Sequence, residues 1–141
     1  MPPYHAVLNG GIEMSTINLT KDSIDEAVSA DGITLVDWWA SWCGPCMQFG
    51  PVYEAASEQH PDVVFAKIDT EAEGELSGAA GISSIPTLMA FRDGILVFSQ
   101  PGALPAAGLE QVIQAVKGLD MDDVRRQVAE AEAAETAQSE V

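Results

Sequence analysis

The stretch Ile33-Thr34-Leu35-Val36-Asp37-Trp38-Trp39-Ala40-Ser41-Trp42-Cys43-Gly44-Pro45-Cys46 decides how this chain is read. Its first eight residues hardly alternate between apolar and polar and are rich in branched and aromatic side chains. That is the pattern of a strand buried on both faces of a sheet. Its last four residues hold the only two cysteines of the chain. Two thiols separated by two residues either close on each other or share one metal ion.

Downstream, residues 43–59 read as a helix with Phe49, Val52, Tyr53 and Ala56 on one face. Pro51 removes a backbone donor inside it and is expected to kink it, and His60-Pro61-Asp62 is the stop. Residues 63–68 form a second buried strand, and 71–80 a short acidic helix. Two further strands, 87–92 and 95–99, flank Asp93-Gly94, a pair that favours a two-residue hairpin and so an antiparallel pairing. Residues 105–117 carry Leu109, Val112, Ile113 and Val116 at helical spacing, with Gly118 as the cap.

Upstream, 15–19 read as a short strand, and Thr20 as the cap of a helix over 21–30 with Ile24, Ala27 and Val28 on one face. Residues 1–13, with paired prolines and Gly10-Gly11, show no periodicity and read as a flexible extension. At the other end, 120–141 is an acidic appendage in which Val124, Val128 and Ala131 make a thin apolar stripe. Asp120, Asp122 and Asp123 suit a helix N-terminus, so the appendage is expected to be a solvated helix that frays towards Val141. The organisation is therefore an extension at 1–13, one domain over 14–119 and a helical tail over 120–141. The domain is α/β, with a mixed sheet and helices on both faces.

With 141 residues and 47% hydrophobic content the chain can bury a proper core. A formal charge of -16, from 22 acidic and 6 basic residues, argues against nucleic acid and anionic membrane surfaces as partners. The leader lacks the basic start, apolar core and small-residue cleavage site of a secretory signal. No stretch is long and apolar enough to span a bilayer. A cytoplasmic location is expected, where a pair of cysteines is catalytic or metal-binding more often than a structural staple.

The strand-to-helix junction places Cys43 at a helix N-terminus, beside N–H groups that lack intrahelical partners and favour a thiolate. Cys43 is then the nucleophile. Cys46, one turn on and deeper, is placed to resolve the mixed disulfide that Cys43 forms with a substrate. Gly44 lets the turn close and another chain approach, and Pro45 fits a first-turn position that needs no donor. Resolution requires a proton acceptor, and Asp37, a lone carboxylate in an apolar strand, is the one candidate near in sequence; burial should raise its pKa towards neutrality. Structural zinc needs four ligands, and His5 in the leader and His60 at a helix end do not complete a set with the two cysteines. No metal is expected. Neither histidine has a stronger claim to another role. Ile85-Pro86-Thr87 marks the entry to a strand; taken alone it reads as a trans bond at a strand's first residue.

Trp42-Cys43-Gly44-Pro45-Cys46 after Leu35-Val36-Asp37-Trp38-Trp39-Ala40, Pro51, Ile85-Pro86-Thr87, Asp93-Gly94 and Gly102-Ala103 together resemble the thioredoxin family in order and spacing over about residues 15–118. The resemblance implies a thioredoxin fold and a monomeric protein disulfide reductase with no bound cofactor. Its Cys43–Cys46 pair would be recharged with electrons from NADPH by a flavin-containing thioredoxin reductase, and its other partners would be client proteins with disulfides. It implies the same roles for Cys43, Cys46 and Asp37, a cis bond before Pro86, and a client-binding surface of Trp42, Gly44, Pro45, Ile85, Pro86, Gly102 and Ala103. Two rivals share the fold. One is an extracytoplasmic oxidant or isomerase, disfavoured by Gly44-Pro45; the other is a binding or assembly module with dispensable thiols.

Two departures are expected. Counting back from Asp69 puts the family's lysine beside the buried carboxylate at Phe65, which would leave Asp37 without a close cation and with a higher pKa. Ser41 and Met47 replace charged residues often found beside the motif and leave the rim more neutral.

Overall fold

The computed structural model describes residues 6–8 and 12–139. Strands β3 (Thr16–Asn18), β4 (Ile33–Trp39), β5 (Val63–Asp69), β6 (Thr87–Arg92) and β7 (Ile95–Pro101) form one sheet in the order β3-β5-β4-β6-β7. The first three run parallel, β6 runs antiparallel to β4, and β7 antiparallel to β6, so that β7 again shares the direction of the first three. As the apolar run at 33–40 requires, β4 is central and buried on both sides.

Alternation along the strands sorts the core into two layers. On one face Leu35, Phe65, Leu88 and Ala90 pack with Phe49 and Tyr53 of α2 (Gly44–Gln59) and with Leu109, Ile113 and Val116 of α4 (Ala106–Lys117). On the other, Val36, Trp38, Ala66, Ile68 and Met89 meet Ile24, Ala27 and Val28 of α1 (Ile24–Ser29) and Leu76 of α3 (Gly74–Ala79). Tyr53 anchors the first layer: its ring meets Phe65 edge-on at 5.1 Å and its hydroxyl donates to Ala66 O at 2.8 Å.

Two helices start later than the sequence predicts. Residues 21–23 form a turn, because the Thr20 side chain accepts from Asp22 N at 3.2 Å while Ser23 Oγ accepts from Thr20 N at 2.9 Å. These local bonds compete with a helical turn. Likewise Asp69 Oδ1 accepts from Glu71 N at 2.9 Å, so the acidic segment bends before α3 begins at Gly74. The hairpin is as expected: Asp93 and Gly94 both take positive φ, 53° and 83°, as its turn demands. A register shift between Ala90 and Phe91 leaves Val97 as the extra residue of β7.

The unpatterned extension read over 1–13 lies partly outside the described residues; its described parts, β1 (Ala6–Leu8) and β2 (Ile12–Met14), pair as a small antiparallel sheet. At the other end α5 (Met121–Ser139) is the expected helix, capped by Asp120 Oδ1, which accepts from the amides of Asp122 and Asp123. It does not hang free. Met121 is buried, Val124 and Val128 are half-buried, and Arg125 bonds Asp93 Oδ2 at 3.3 Å. Ala131, the last member of the stripe, is exposed. The fraying expected at Val141 lies outside the described residues.

His60, without a role in the sequence, is buried at the end of α2, with Nε2 2.8 Å from Glu110 Oε1 and Nδ1 accepting from Lys117 Nζ at 3.0 Å. It joins α2 to α4. Gly118 is the C-cap of α4, as expected, with φ -85° and its N–H donating to Gln114 O at 3.0 Å, and the cap is reinforced by Arg92. Its Nη1 donates to the carbonyls of Val116, Lys117 and Leu119 at 2.8, 3.1 and 3.0 Å. A cation on the last carbonyls also complements the helix dipole. Arg92→Met should cost about 2 kcal/mol, the worth of hydrogen bonds from a charged group, measured as a lowered urea midpoint with unchanged slope.

Candidate active site

Strand β4 ends at Trp39 and α2 begins at Gly44, so the intervening turn carries both the exposed indole and the first thiol. Cys43 is the N-cap of α2, with extended backbone (φ -89°, ψ 114°), and its Sγ accepts from the amide of Cys46 at 3.2 Å. Cys43 and Cys46 are disulfide-bonded, with Cα atoms 5.2 Å apart. Cys46 is the more deeply buried, at 2% exposure against 5% for Cys43. Both pack with Ala40, Trp39 and Ile85. The sulfur of Cys43 lies 3.7 Å from Ile85 O, where a reduced thiol would find an acceptor.

Asp37 sits on the face of β4 that looks towards α2, two residues from Leu35 on one side and from Trp39 on the other. It is 1% exposed and its Oδ1 has no hydrogen-bond partner. Burial raises its pKa to about 6. The same charge, after burial itself, helps to push Tyr53 on α2 well above the usual phenol range. The carboxylate thus lies beneath the inner face of α2, which carries Cys46, Phe49 and Tyr53.

The structure corrects the expectation that Asp37 lacks a cation. Parallel β4 and β5 begin together, Ile33 opposite Val63, so the fifth residue of each is paired: Asp37 lies opposite Lys67, and Phe65 lies opposite Leu35 in the core. Counting from Asp69 misplaced the lysine by two residues; counting from the strand starts would have found it. Lys67 attracts the carboxylate and lowers its pKa, but less than burial raises it. The two form no ion pair. Instead the Lys67 ammonium lies over the Trp39 ring, 4.9 Å from its centre.

The remaining predicted residues surround the sulfurs. Trp42 is 69% exposed, and its indole N–H donates to Glu71, a contact that the sequence reading missed. Thr70 holds the same loop to β4, its amide and hydroxyl both donating to Trp39 O, at 2.8 and 3.0 Å. The Ile85–Pro86 bond is cis, as the family resemblance implied and the tripeptide alone did not. Gly102 N donates to Pro86 O at 2.8 Å and takes φ 103°, which brings Gly102 and Ala103 beside Ile85 and Pro86. Gly44, Pro45, Gly102 and Ala103 are exposed and Ile85 is half-buried. Pro86, in contrast, is fully buried. Among the described residues no group of three or more Asp, Glu, His or Cys side chains is placed to hold a metal ion.

A disulfide at a helix N-terminus, on a mixed sheet with a cis-proline beside it, defines a thiol–disulfide oxidoreductase site. The Thioredoxin family pattern matches residues 15–115. The chain is 58% identical over 119 residues to "Putative thioredoxin 2" of Streptomyces coelicolor, covering 84% of this chain and 89% of that protein. It is 38% identical over 96 residues to "Thioredoxin-1" of Saccharomyces cerevisiae, covering 68% and 92%. A solved mutant thioredoxin from Halobacterium salinarum superposes with a TM-score of 0.68 at 31% identity, covering 78% of this chain and 98% of that one. The chain belongs to the thioredoxin family, and it is a thiol–disulfide oxidoreductase.

The raised pKa of Asp37 has a cost in stability with a definite sign. The native state keeps its proton up to about pH 6, whereas the unfolded chain releases it near 3.8. Stability therefore falls as pH rises through that window and is level above it. Asp37→Asn removes the ionisation, so urea melts should show the variant more stable than the wild type by about 3 kcal/mol at pH 7.5. At pH 4 the difference should have largely vanished.

Proposed function

We propose that this chain is a protein disulfide reductase that cycles Cys43 and Cys46 between dithiol and disulfide. The observation that supports it most is the asymmetry of the pair: Cys43 caps α2 and takes a hydrogen bond from the Cys46 amide, while Cys46 lies deeper, on the face above Asp37. The Cys46 amide and the positive end of the α2 dipole stabilise a thiolate at Cys43 Sγ. That thiolate attacks one sulfur of a client disulfide; the Cys43–client bond forms, and the other client sulfur leaves as a thiolate and picks up a proton. Cys46 then gives its proton to the Asp37 carboxylate and attacks Cys43 Sγ. The mixed disulfide breaks, the client takes its second thiol, and the chain is left with the Cys43–Cys46 bond. Two electrons have passed to the client.

With a pKa of about 6, Asp37 is mostly ionised at neutral pH yet close enough to it to take a proton and return it. The client lies over the exposed rim formed by Trp42, Gly44, Pro45, Ile85, Gly102 and Ala103, with buried Pro86 holding the backbone of Ile85 in place. Re-reduction of the disulfide is assigned to a flavin-containing thioredoxin reductase drawing on NADPH, in the cytoplasm, with the chain itself acting as a monomer.

The test is a coupled assay with NADPH, a thioredoxin reductase and insulin. NADPH oxidation that depends on this chain and disappears in Cys43→Ser is the expected result. Cys46→Ser should instead trap clients as mixed disulfides, visible as adducts on non-reducing gels. Capture by Cys43→Ser rather than by Cys46→Ser would reverse the roles given to the two thiols.

A further inference from the structure

Among the described residues three large hydrophobic side chains stand well exposed: Trp42 at 69%, Leu96 at 48% and Met47 at 47%. Isolated exposed apolar residues are common, so exposure alone decides little. Position decides more. Leu96 lies on the edge strand β7, near the hairpin, whereas Trp42 and Met47 flank the disulfide on either side in the chain.

Met47 belongs to the first turn of α2, and its amide donates to Cys43 O at 3.1 Å. It therefore stands one turn on from Cys43, on the side of the helix shared with Cys43 and Gly44. The inner side belongs to Cys46, Phe49 and Tyr53, all buried. Side chains on a helix lean towards its N-terminus, so the thioether covers the surface beside Cys43 and Gly44. A chain that presents a disulfide to Cys43 across the exposed rim at Gly44 and Pro45 lies beside that surface. The indole opposite is steadied by Glu71, whereas Met47 has no hydrogen-bonding group to satisfy and can mould to different apolar shapes.

We infer that Met47 is a specificity-determining residue of the reductase, seating an apolar client side chain next to the scissile disulfide. This rests on the disulfide-reductase reading above and names its preferred substrate class: disulfides flanked by apolar residues. Acidic flanks are disfavoured twice, by the lost apolar contact and by the negative field of Glu71 and of a chain carrying -16.

The experiment uses synthetic peptides with one internal disulfide, identical except that Leu, Lys or Glu adjoins both cysteines, reduced by the full chain kept in its dithiol form. The wild type should prefer the Leu peptide to the Glu peptide by about fivefold or more in kcat/KM, carried by KM, as expected for one partly buried apolar contact. Met47→Gln, which leaves the charge unchanged, should lower that ratio at least twofold, and Met47→Leu should retain it. A Leu-to-Glu ratio within twofold of wild type in Met47→Gln overturns the inference while leaving the reductase reading intact. Failure of the wild type to reduce any of the peptides overturns both.

Discussion

Asp37 holds a carboxyl group in the middle of β4, where one of its oxygens has no partner and the nearest cation is engaged with an aromatic ring. A buried polar group left in this state opposes folding. It persists because β4 is the most enclosed element of the chain, with β5 and β6 hydrogen-bonded on its two sides and helices over both faces. The apolar layer of Leu35, Phe49, Tyr53, Phe65 and Leu88 supplies the cohesion that offsets the carboxylate, and also the dry surroundings that shift its pKa. Stability and chemistry draw on the same side chains.

The strand that carries this group also delivers the thiols. Five residues separate Asp37 from Cys43, and over them the chain leaves the sheet and exposes Trp42 before α2 begins. Four bonds hold that path: Cys43 N to Ala40 O, Thr70 N and Oγ1 both to Trp39 O, and the Trp42 indole to Glu71. The loop after β5 thus braces the turn after β4. Since β5 also brings Lys67 opposite Asp37, two neighbouring parallel strands place almost every charged or reactive group of the site. The remaining piece, at Ile85 and Pro86, enters from the antiparallel side of the sheet.

Much of this was legible in residues 33–46, because a buried central strand and a helix that opens on a cysteine both leave local patterns. The hairpin was equally plain, since Asp93 and Gly94 are residues that tolerate positive φ. What was not legible depended on pairing between distant segments. Lys67 could be placed against Asp37 only by knowing where two strands start together, and counting from the wrong end gave Phe65. The late starts of α1 and α3 came from short side-chain bonds by Thr20, Ser23 and Asp69, which compete with helical turns whose composition looked suitable. Glu71 reaches Trp42 across 29 positions of sequence, and the isomer before Pro86 leaves no mark in its neighbours. The docking of α5 joins the burial of Met121 to an ion pair with the hairpin, between residues 32 apart.

That last attachment separates two ends of the molecule. Arg125 meets Asp93 at the closed end of the β6–β7 ladder, while Thr87 and Pro101 pair at its open end, next to Pro86 and Gly102. Six residues of strand, about 17 Å, lie between them. The tail is fastened at the hairpin end of the ladder and the sulfurs work at the other, so changes in its exposed stretch past Val128 leave the redox end undisturbed.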